Sequence, residues 1–195
     1  GRTMDFGLGG RVAIVTGGAS NIGKAIAKVL AEEGAHLAIL DRDEPMARRT
    51  VTEITDAGGS AVAYAVDLTD VDATKAAVTS VEADLGPTAV LVNNVGWNGP
   101  AEFFLDLPPE RWDQAYRLNL FPTFNATHAV LGAMVERREG SIISIASDAG
   151  FGEFRVADYG AMKAGVMAFS RTIAKEYGRF GIRANTVCPG LVLPA

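Results

Sequence analysis

Short aliphatic and β-branched runs alternate with longer stretches of helical periodicity along the whole chain, and this alternation constrains its fold more than any other feature. Residues 11–16 read RVAIVT, an apolar run without polar alternation, as expected of a strand buried on both faces. Residues 36–40, 61–66, 89–93, 141–145 and 182–187 are five further strand candidates. Between them lie helical patterns over 21–33, 44–57, 71–84 and 158–177. The second of these stops at Gly58-Gly59 and the third at Gly86-Pro87. The fourth interval predicts one long helix over 109–137, bent near Pro122. Strands of this kind separated by helices predict a parallel sheet covered on both faces. Right-handed crossovers then give a doubly wound α/β domain, here a single one over residues 10–195.

Composition agrees. The chain has 195 residues, 48% hydrophobic and 21% charged, enough for one sizeable core and unlike a disordered chain. Its net charge is −5 and no basic stripe occurs, which argues against nucleic acid as a partner; Arg48-Arg49 and Arg137-Arg138 read as solvated helix surface. No run of about 18 apolar residues is present, so no transmembrane helix is expected, and no basic-then-apolar leader precedes the first strand. The single cysteine, Cys188, rules out an intrachain disulfide and fits a reducing, cytoplasmic setting. Residues 1–3, ahead of Met4, read as a cloning remnant.

The first strand runs into Thr16-Gly17-Gly18-Ala19-Ser20-Asn21-Ile22-Gly23 and then a helix. A glycine-rich turn in that context exposes backbone N–H groups and a helix N-terminus, which together can hold a pyrophosphate. The alternative is a tight turn that binds nothing. Asp41 closes the second strand, where a carboxylate can accept hydrogen bonds from an adenosine ribose and repel a 2′-phosphate, the alternative being a helix cap within Asp41-Arg42-Asp43. NAD is therefore expected over NADP, although Arg42 could offset part of that preference. Asp67, followed by Leu68, could bond an adenine or simply make a turn. Asn93-Asn94-Val95-Gly96 ends the fourth strand, with amides to brace the sheet and a glycine to leave room for a cofactor.

Tyr159 and Lys163, four apart on a helix, share a face. An ammonium beside a phenol is expected to lower its pKa, so that the pair can exchange a proton with an alcohol or a carbonyl. The same spacing also occurs on solvated helix faces. Ser147 can polarise an oxygen or merely end a strand, and Asn119 can serve a site or be a satisfied core amide. His128 has no ligand set near it in sequence, so it reads as structural and no metal site is expected.

Together, Thr16-Gly17-x-x-x-Asn21-Ile22-Gly23, Asp67, Asn93-Asn94-Val95-Gly96, Asn119, Ser147, Tyr159-x-x-x-Lys163 and Pro189-Gly190 resemble, in order and approximate spacing, the short-chain dehydrogenase/reductase family. The resemblance implies a Rossmann-like fold and an oxidoreductase that moves a hydride between a nicotinamide cofactor and a secondary alcohol or ketone. It implies Tyr159 as general acid/base and Lys163 as its tuning group and ribose ligand. Ser147 would orient the substrate oxygen, Asn119 would hold a water behind the lysine, and Pro189-Gly190 would shape the nicotinamide site. The cofactor contacts would come from Gly17, Ser20, Asn21, Ile22, Gly23, Asp41, Asp67, Leu68, Asn94 and Gly96, with Tyr159, Lys163, Pro189 and Gly190. The segments around Trp97 and Ser147 resemble those of hydroxyacyl-CoA dehydrogenases and 3-oxoacyl carrier-protein reductases. Trp97, Phe151 and Phe154, beside that site, either supply apolar walls or pack against the part of the protein beyond Ala195. A non-catalytic nucleotide-binding or scaffolding subunit on the same fold is the rival reading.

Three departures from the family pattern stand out. Asn21 replaces the commonest glycine, in a turn that Asn can adopt; Val95 replaces a frequent alanine; and Leu193-Pro194 stand where a threonine is usual. The resemblance further implies a homodimer or homotetramer built on the helices ending near Arg137 and containing Tyr159. It also implies a helical lid, mobile without cofactor, and a seventh strand beyond Ala195, without which the sixth strand would be an exposed apolar edge.

Overall fold

The computed structural model describes residues 5–192, so the expectations placed on residues 1–3, Leu193 and Pro194 lie outside the described residues. The elements follow in the order β1 (Val12–Thr16), α1 (Asn21–Glu32), β2 (His36–Asp41), α2 (Glu44–Asp56), β3 (Ser60–Ala65), α3 (Val71–Leu85) and β4 (Thr88–Asn93). Then come α4 (Pro109–Asn119), α5 (Phe121–Arg137), β5 (Gly140–Ile145), α6 (Ala157–Tyr177) and β6 (Ile182–Val187). Local chemistry sets several of the ends. Asp43 caps α2 by accepting from Met46 N at 3.0 Å, and Asp70 caps α3 by accepting from Ala73 N at 2.9 Å. Gly86, at φ 98°, closes α3 in a conformation that glycine adopts without strain.

All six strands are parallel, in the order β3-β2-β1-β4-β5-β6. This is the doubly wound topology expected from the alternation. β1 is buried at all five positions because helices cover both of its faces. Val12 and Ile14 pack with Leu40, Leu91 and Ile142 beneath α3 and α5, whereas Ala13 and Val15 pack with Leu37, Ile39 and Val92 beneath α1 and α2. The strand order reverses between β1 and β4, where the chain returns from β3 to the other side. A crevice opens there beyond the carboxyl ends of the strands, and the site occupies it.

Two expectations need correction. The long helix over 109–137 is two helices, because α4 ends at Asn119 and α5 begins at Phe121, with Leu120 between them. Pro122 has no N–H to continue the ladder, so the break comes just before it. β6 lies at one edge of the sheet, but that edge is not an apolar face: Arg183, Asn185 and Val187 are its exposed residues. Among the described residues no helix is long and apolar enough to cross a membrane.

Candidate active site

The crevice has a volume of about 590 Å³ and runs from the glycine turn to the first turn of α6. At one end lie Gly17, Ser20, Asn21 and Ile22; Asp41, Asp67 and Leu68 line the same end, and Asn94 and Gly96 the middle. Ser147, Tyr159, Lys163, Pro189 and Gly190 line the other end. Residues far apart in sequence thus converge because most follow the carboxyl ends of neighbouring strands, and α6 brings Tyr159 and Lys163 to the same place.

The turn after β1 fits a dinucleotide phosphate. Gly17 has φ 63°, and Asn21 takes a left-handed φ of 48°, so asparagine supports the turn as expected. Ser20, the N-cap of α1, makes no side-chain cap bond, and the first turn of α1 carries no acidic residue. The N–H groups there can therefore receive an anion. Gly23 packs against the turn so closely that a Cβ would lie 2.1 Å from Gly17 O and 2.5 Å from Asn94 Nδ2. Asn94 ties the two strand ends together: its N donates to Thr16 Oγ1 at 2.9 Å and its Nδ2 to Gly17 O at 3.0 Å. The residues present fit the cofactor that the sequence pattern implies.

Asp41 Oδ2 accepts from Ala19 N at 3.1 Å and Oδ1 from Asp43 N at 3.0 Å. Its carboxylate is thereby fixed beside the turn. Asp67 makes a turn, accepting from Thr69 N at 2.9 Å and Thr69 Oγ1 at 2.8 Å, and also lines the crevice. These two bonds hold its carboxyl below the ordinary carboxylate range, burial opposes them, and nearby Arg42 helps.

Ser147 follows β5 and caps a short 3-10 turn over Asp148–Phe151, accepting from Ala149 N at 3.2 Å. Its hydroxyl lies 3.1 Å from Asp148 Oδ1. Tyr159 stands in the first turn of α6 and Lys163 one turn later; both line the crevice, as their spacing predicts. Lys163 is 3% exposed and its Nζ donates to Ile145 O at 2.9 Å. The ammonium lies 5.6 Å from the Tyr159 ring centroid. The expectation that it lowers the phenol's pKa is not met here. Burial pushes Tyr159 above its ordinary value of 10.0; the Ser147 hydroxyl pulls the other way, and the Asp148 carboxylate adds to the rise. The lysine head is engaged with the Ile145 carbonyl rather than with the phenol.

Burial also pulls the Lys163 ammonium down from 10.5 to about 8, against a smaller opposing effect of Cys188. Between those two values the unfolded chain holds a proton that the folded chain has released. Stability of the cofactor-free protein should therefore rise with pH across that window, with the cost of the buried ammonium fully present below it. Urea unfolding at both ends of the window should show this rise in wild type and lose it in Lys163→Met. A difference between the two proteins that does not change with pH would contradict the assignment.

Asn119 does not line the crevice. It is fully buried, with Oδ1 accepting from Trp97 N at 2.9 Å and Nδ2 donating to Trp97 O at 2.8 Å and Ala115 O at 2.9 Å. Both amide hydrogens are used within the protein, in a clamp on the Trp97 backbone and the helix, as those of a satisfied core amide would be. Gly96 passes between this amide and the lysine: a Cβ there would meet Lys163 Nζ at 2.9 Å and Asn119 Oδ1 at 3.2 Å. Of the three expected apolar walls, Trp97 lines the crevice, whereas Phe151 and Phe154 are 73% and 69% exposed and lie outside the lining. Phe154 packs edge-on against Phe103, with ring centroids 5.6 Å apart. His128, read as structural, stands exposed on α5.

Sequence reasoning passed over Arg111 and Asp158. Arg111 Nε donates to Asp158 Oδ2 at 2.9 Å in a buried ion pair directly before Tyr159. The only signal was two charged residues at positions that face inward on their helices.

A doubly wound parallel sheet with Ser147, Tyr159 and Lys163 lining a crevice that also takes in the glycine turn is a dehydrogenase architecture. Residues 11–195 match the short chain dehydrogenase family, and the chain belongs to it. It is 36% identical over 190 residues to 2-(S)-hydroxypropyl-CoM dehydrogenase 3 of Xanthobacter autotrophicus, covering 97% of this chain and 74% of that protein. It is 39% identical to acetoacetyl-CoA reductase of Paracoccus denitrificans, covering 93% and 74%. Among solved structures, NAD+-bound xylitol dehydrogenase superposes with a TM-score of 0.94 at 32% identity, covering 96% of this chain and 73% of that one. The chain is thus an oxidoreductase of CH–OH groups, of a family that uses a nicotinamide cofactor.

Proposed function

We propose that this oxidoreductase uses NAD and acts on hydroxyacyl or 3-oxoacyl thioesters, with Tyr159 as the group that gives and takes the proton. The observation that carries the reading is the convergence of Ser147, Tyr159 and Lys163 at one end of the crevice whose other end holds the glycine turn and Asp41. Bound there, the nicotinamide supplies the hydride or its acceptor. The N–H groups of Asn21 and Ile22, at the N-terminus of α1, would hold the pyrophosphate, while Gly17, whose own N–H donates to Leu40 O at 2.8 Å, would leave room for it. Asp41 accepts from the adenosine ribose, and Lys163, beside Gly96, donates to the other ribose. Ser147 and Tyr159 aim their hydroxyls at the substrate oxygen. Tyr159 donates a proton as a ketone becomes an alcohol and accepts one in the reverse direction. Asn119 acts through the Trp97 backbone, which it holds in place beside Gly96. The thioester assignment draws on the relative that reduces acetoacetyl-CoA and on Trp97 as an apolar wall. Oligomerisation through α5 and α6 is part of the same reading. Phe124 and Phe169, on those two helices, pack with centroids 4.7 Å apart and remain partly exposed.

The cofactor assignment has a direct test. Wild type should show kcat/KM for NAD at least about tenfold above that for NADP, and Asp41→Ala should shift the ratio toward NADP by about the same factor. A wild type that prefers NADP, or a ratio untouched by the substitution, would remove Asp41 as the selector. The substrate class is tested by following NADH absorbance with acetoacetyl-CoA beside simple ketones and sugars. The thioester should give the highest kcat/KM, and an equal or better ketone or sugar would overturn that part.

A further inference from the structure

We propose that Arg111 and Asp158 are positioning residues for this reaction: their ion pair sets the gap between the Trp97 wall and the helix turn that carries Tyr159. The inference rests on the reading of Tyr159 as the proton-transferring group.

The pair is placed by the face of one helix. Arg111, Ala115 and Asn119 are the buried residues of α4, spaced four apart, so they form one stripe. Asn119 at one end clamps both the N–H and the carbonyl of Trp97. Arg111 at the other end engages the next part of the same loop. Its Nη2 donates to Pro100 O at 2.6 Å, its Nη1 lies 3.6 Å from Glu102 Oε2, and its Cζ lies 5.7 Å from the Trp97 ring centroid. Gly99 packs against the same two side chains: a Cβ there would fall 2.8 Å from Trp97 Cη2 and 2.9 Å from Arg111 Cζ. The remaining guanidinium edge reaches Asp158, on the first turn of α6 and next to Tyr159. One side chain thus joins the loop that carries a wall of the crevice to the helix that carries the phenol, and both Trp97 and Tyr159 line that crevice.

Stability alone does not explain this arrangement. Asp158 Oδ1 is buried without a hydrogen-bond partner among the described residues, a costly state for a carboxylate. A buried ion pair is often matched or bettered by apolar residues of similar volume. What apolar side chains cannot do is fix the loop and the helix at once through directional bonds from one planar group.

The test separates position from stability. Arg111→Met, Asp158→Asn, Arg111→Lys, Gly99→Ala and the double variant Arg111→Met/Asp158→Leu would be made in the full-length protein. Each would be assayed with acetoacetyl-CoA, or with a faster substrate from the panel above, alongside Tm and the NADH dissociation constant by fluorescence. Arg111→Met and Asp158→Asn should lose kcat/KM for the substrate on the order of 10²-fold. NADH affinity should stay within about twofold. Arg111→Lys should recover part of the loss. The double variant should regain Tm without regaining kcat/KM. Gly99→Ala, which leaves the ion pair's charges in place and does not call for a left-handed backbone, should raise substrate KM with Tm little changed.

If kcat/KM follows Tm through the whole set, or if Gly99→Ala leaves KM unchanged, the pair is structural and the inference is overturned. Should the ion-pair variants fail to fold, the Gly99→Ala result decides alone. Tyr159→Phe in the same assay keeps the two readings apart. An active Tyr159→Phe overturns the reading beneath the inference, whereas an inactive one beside unimpaired Arg111 and Asp158 variants overturns only the inference.

Discussion

Replacing Tyr159 by phenylalanine is expected to lower kcat about 10³-fold and to leave NADH binding within about twofold of wild type. The ring stays, so its packing at the start of α6 is kept, while the proton that must move with the hydride loses its carrier. The phenol suits this role in the reducing direction. Burial holds it above its ordinary pKa, so at neutral pH it carries the proton that a ketone oxygen needs. Ser147→Ala should give a smaller loss, because a second donor to the oxygen remains. A Tyr159→Phe variant with most of the wild-type kcat would show that the proton comes from elsewhere in the crevice.

The second large effect is expected from Gly23→Ala. A Cβ at that position would stand 2.1 Å from a backbone oxygen, Gly17 O, and 2.9 Å from Gly17 C, so neither neighbour can yield by rotating a side chain. The turn itself has to move away from α1. The expected cost is about 2 kcal/mol of stability, read as a fall in Tm of roughly 5 °C. NADH affinity should fall on the order of 10²-fold, because the displaced turn is the one proposed to cradle the pyrophosphate. Isothermal titration and a thermal melt on the same sample check both. An alanine variant that binds NADH as wild type does would mean that the turn is not the cofactor's cradle.

Much of this architecture is readable along the chain, because it is written in local periodicity. The unbroken apolar character of β1, the glycine turn after it and the stops at Gly58-Gly59 and Gly86-Pro87 each depend on residues a few positions apart. The convergence of Gly17, Asp41, Ser147 and Tyr159 follows once the strands are parallel, since all of them sit at or just beyond strand ends or at the start of the next helix. What stayed hidden depends on pairings across the fold. Asp158 and Arg111 are 47 residues apart, and nothing local marks either as the other's partner. Lys163 shares a helix face with Tyr159, but the carbonyl that captures its ammonium belongs to Ile145 on a different element. Asn119 reads equally well as a site residue or as a core amide until Trp97 is placed against it. Phe151 and Phe154 follow Ser147 closely in sequence, yet the 3-10 turn after β5 carries them out to solvent.

In the proposed reaction this crevice moves a hydride between a nicotinamide and a carbinol carbon while Tyr159 handles the proton. The most direct measurement uses a secondary alcohol deuterated at its carbinol carbon, chosen from the thioester and simple-alcohol panel, with NAD and wild-type protein. Deuterium should appear at C4 of the reduced nicotinamide, one for each ketone formed, and Tyr159→Phe should form neither product at a comparable rate. NAD that binds to the wild-type protein but acquires no deuterium from any alcohol in the panel would contradict it, and would leave a nucleotide-binding protein built on a dehydrogenase fold.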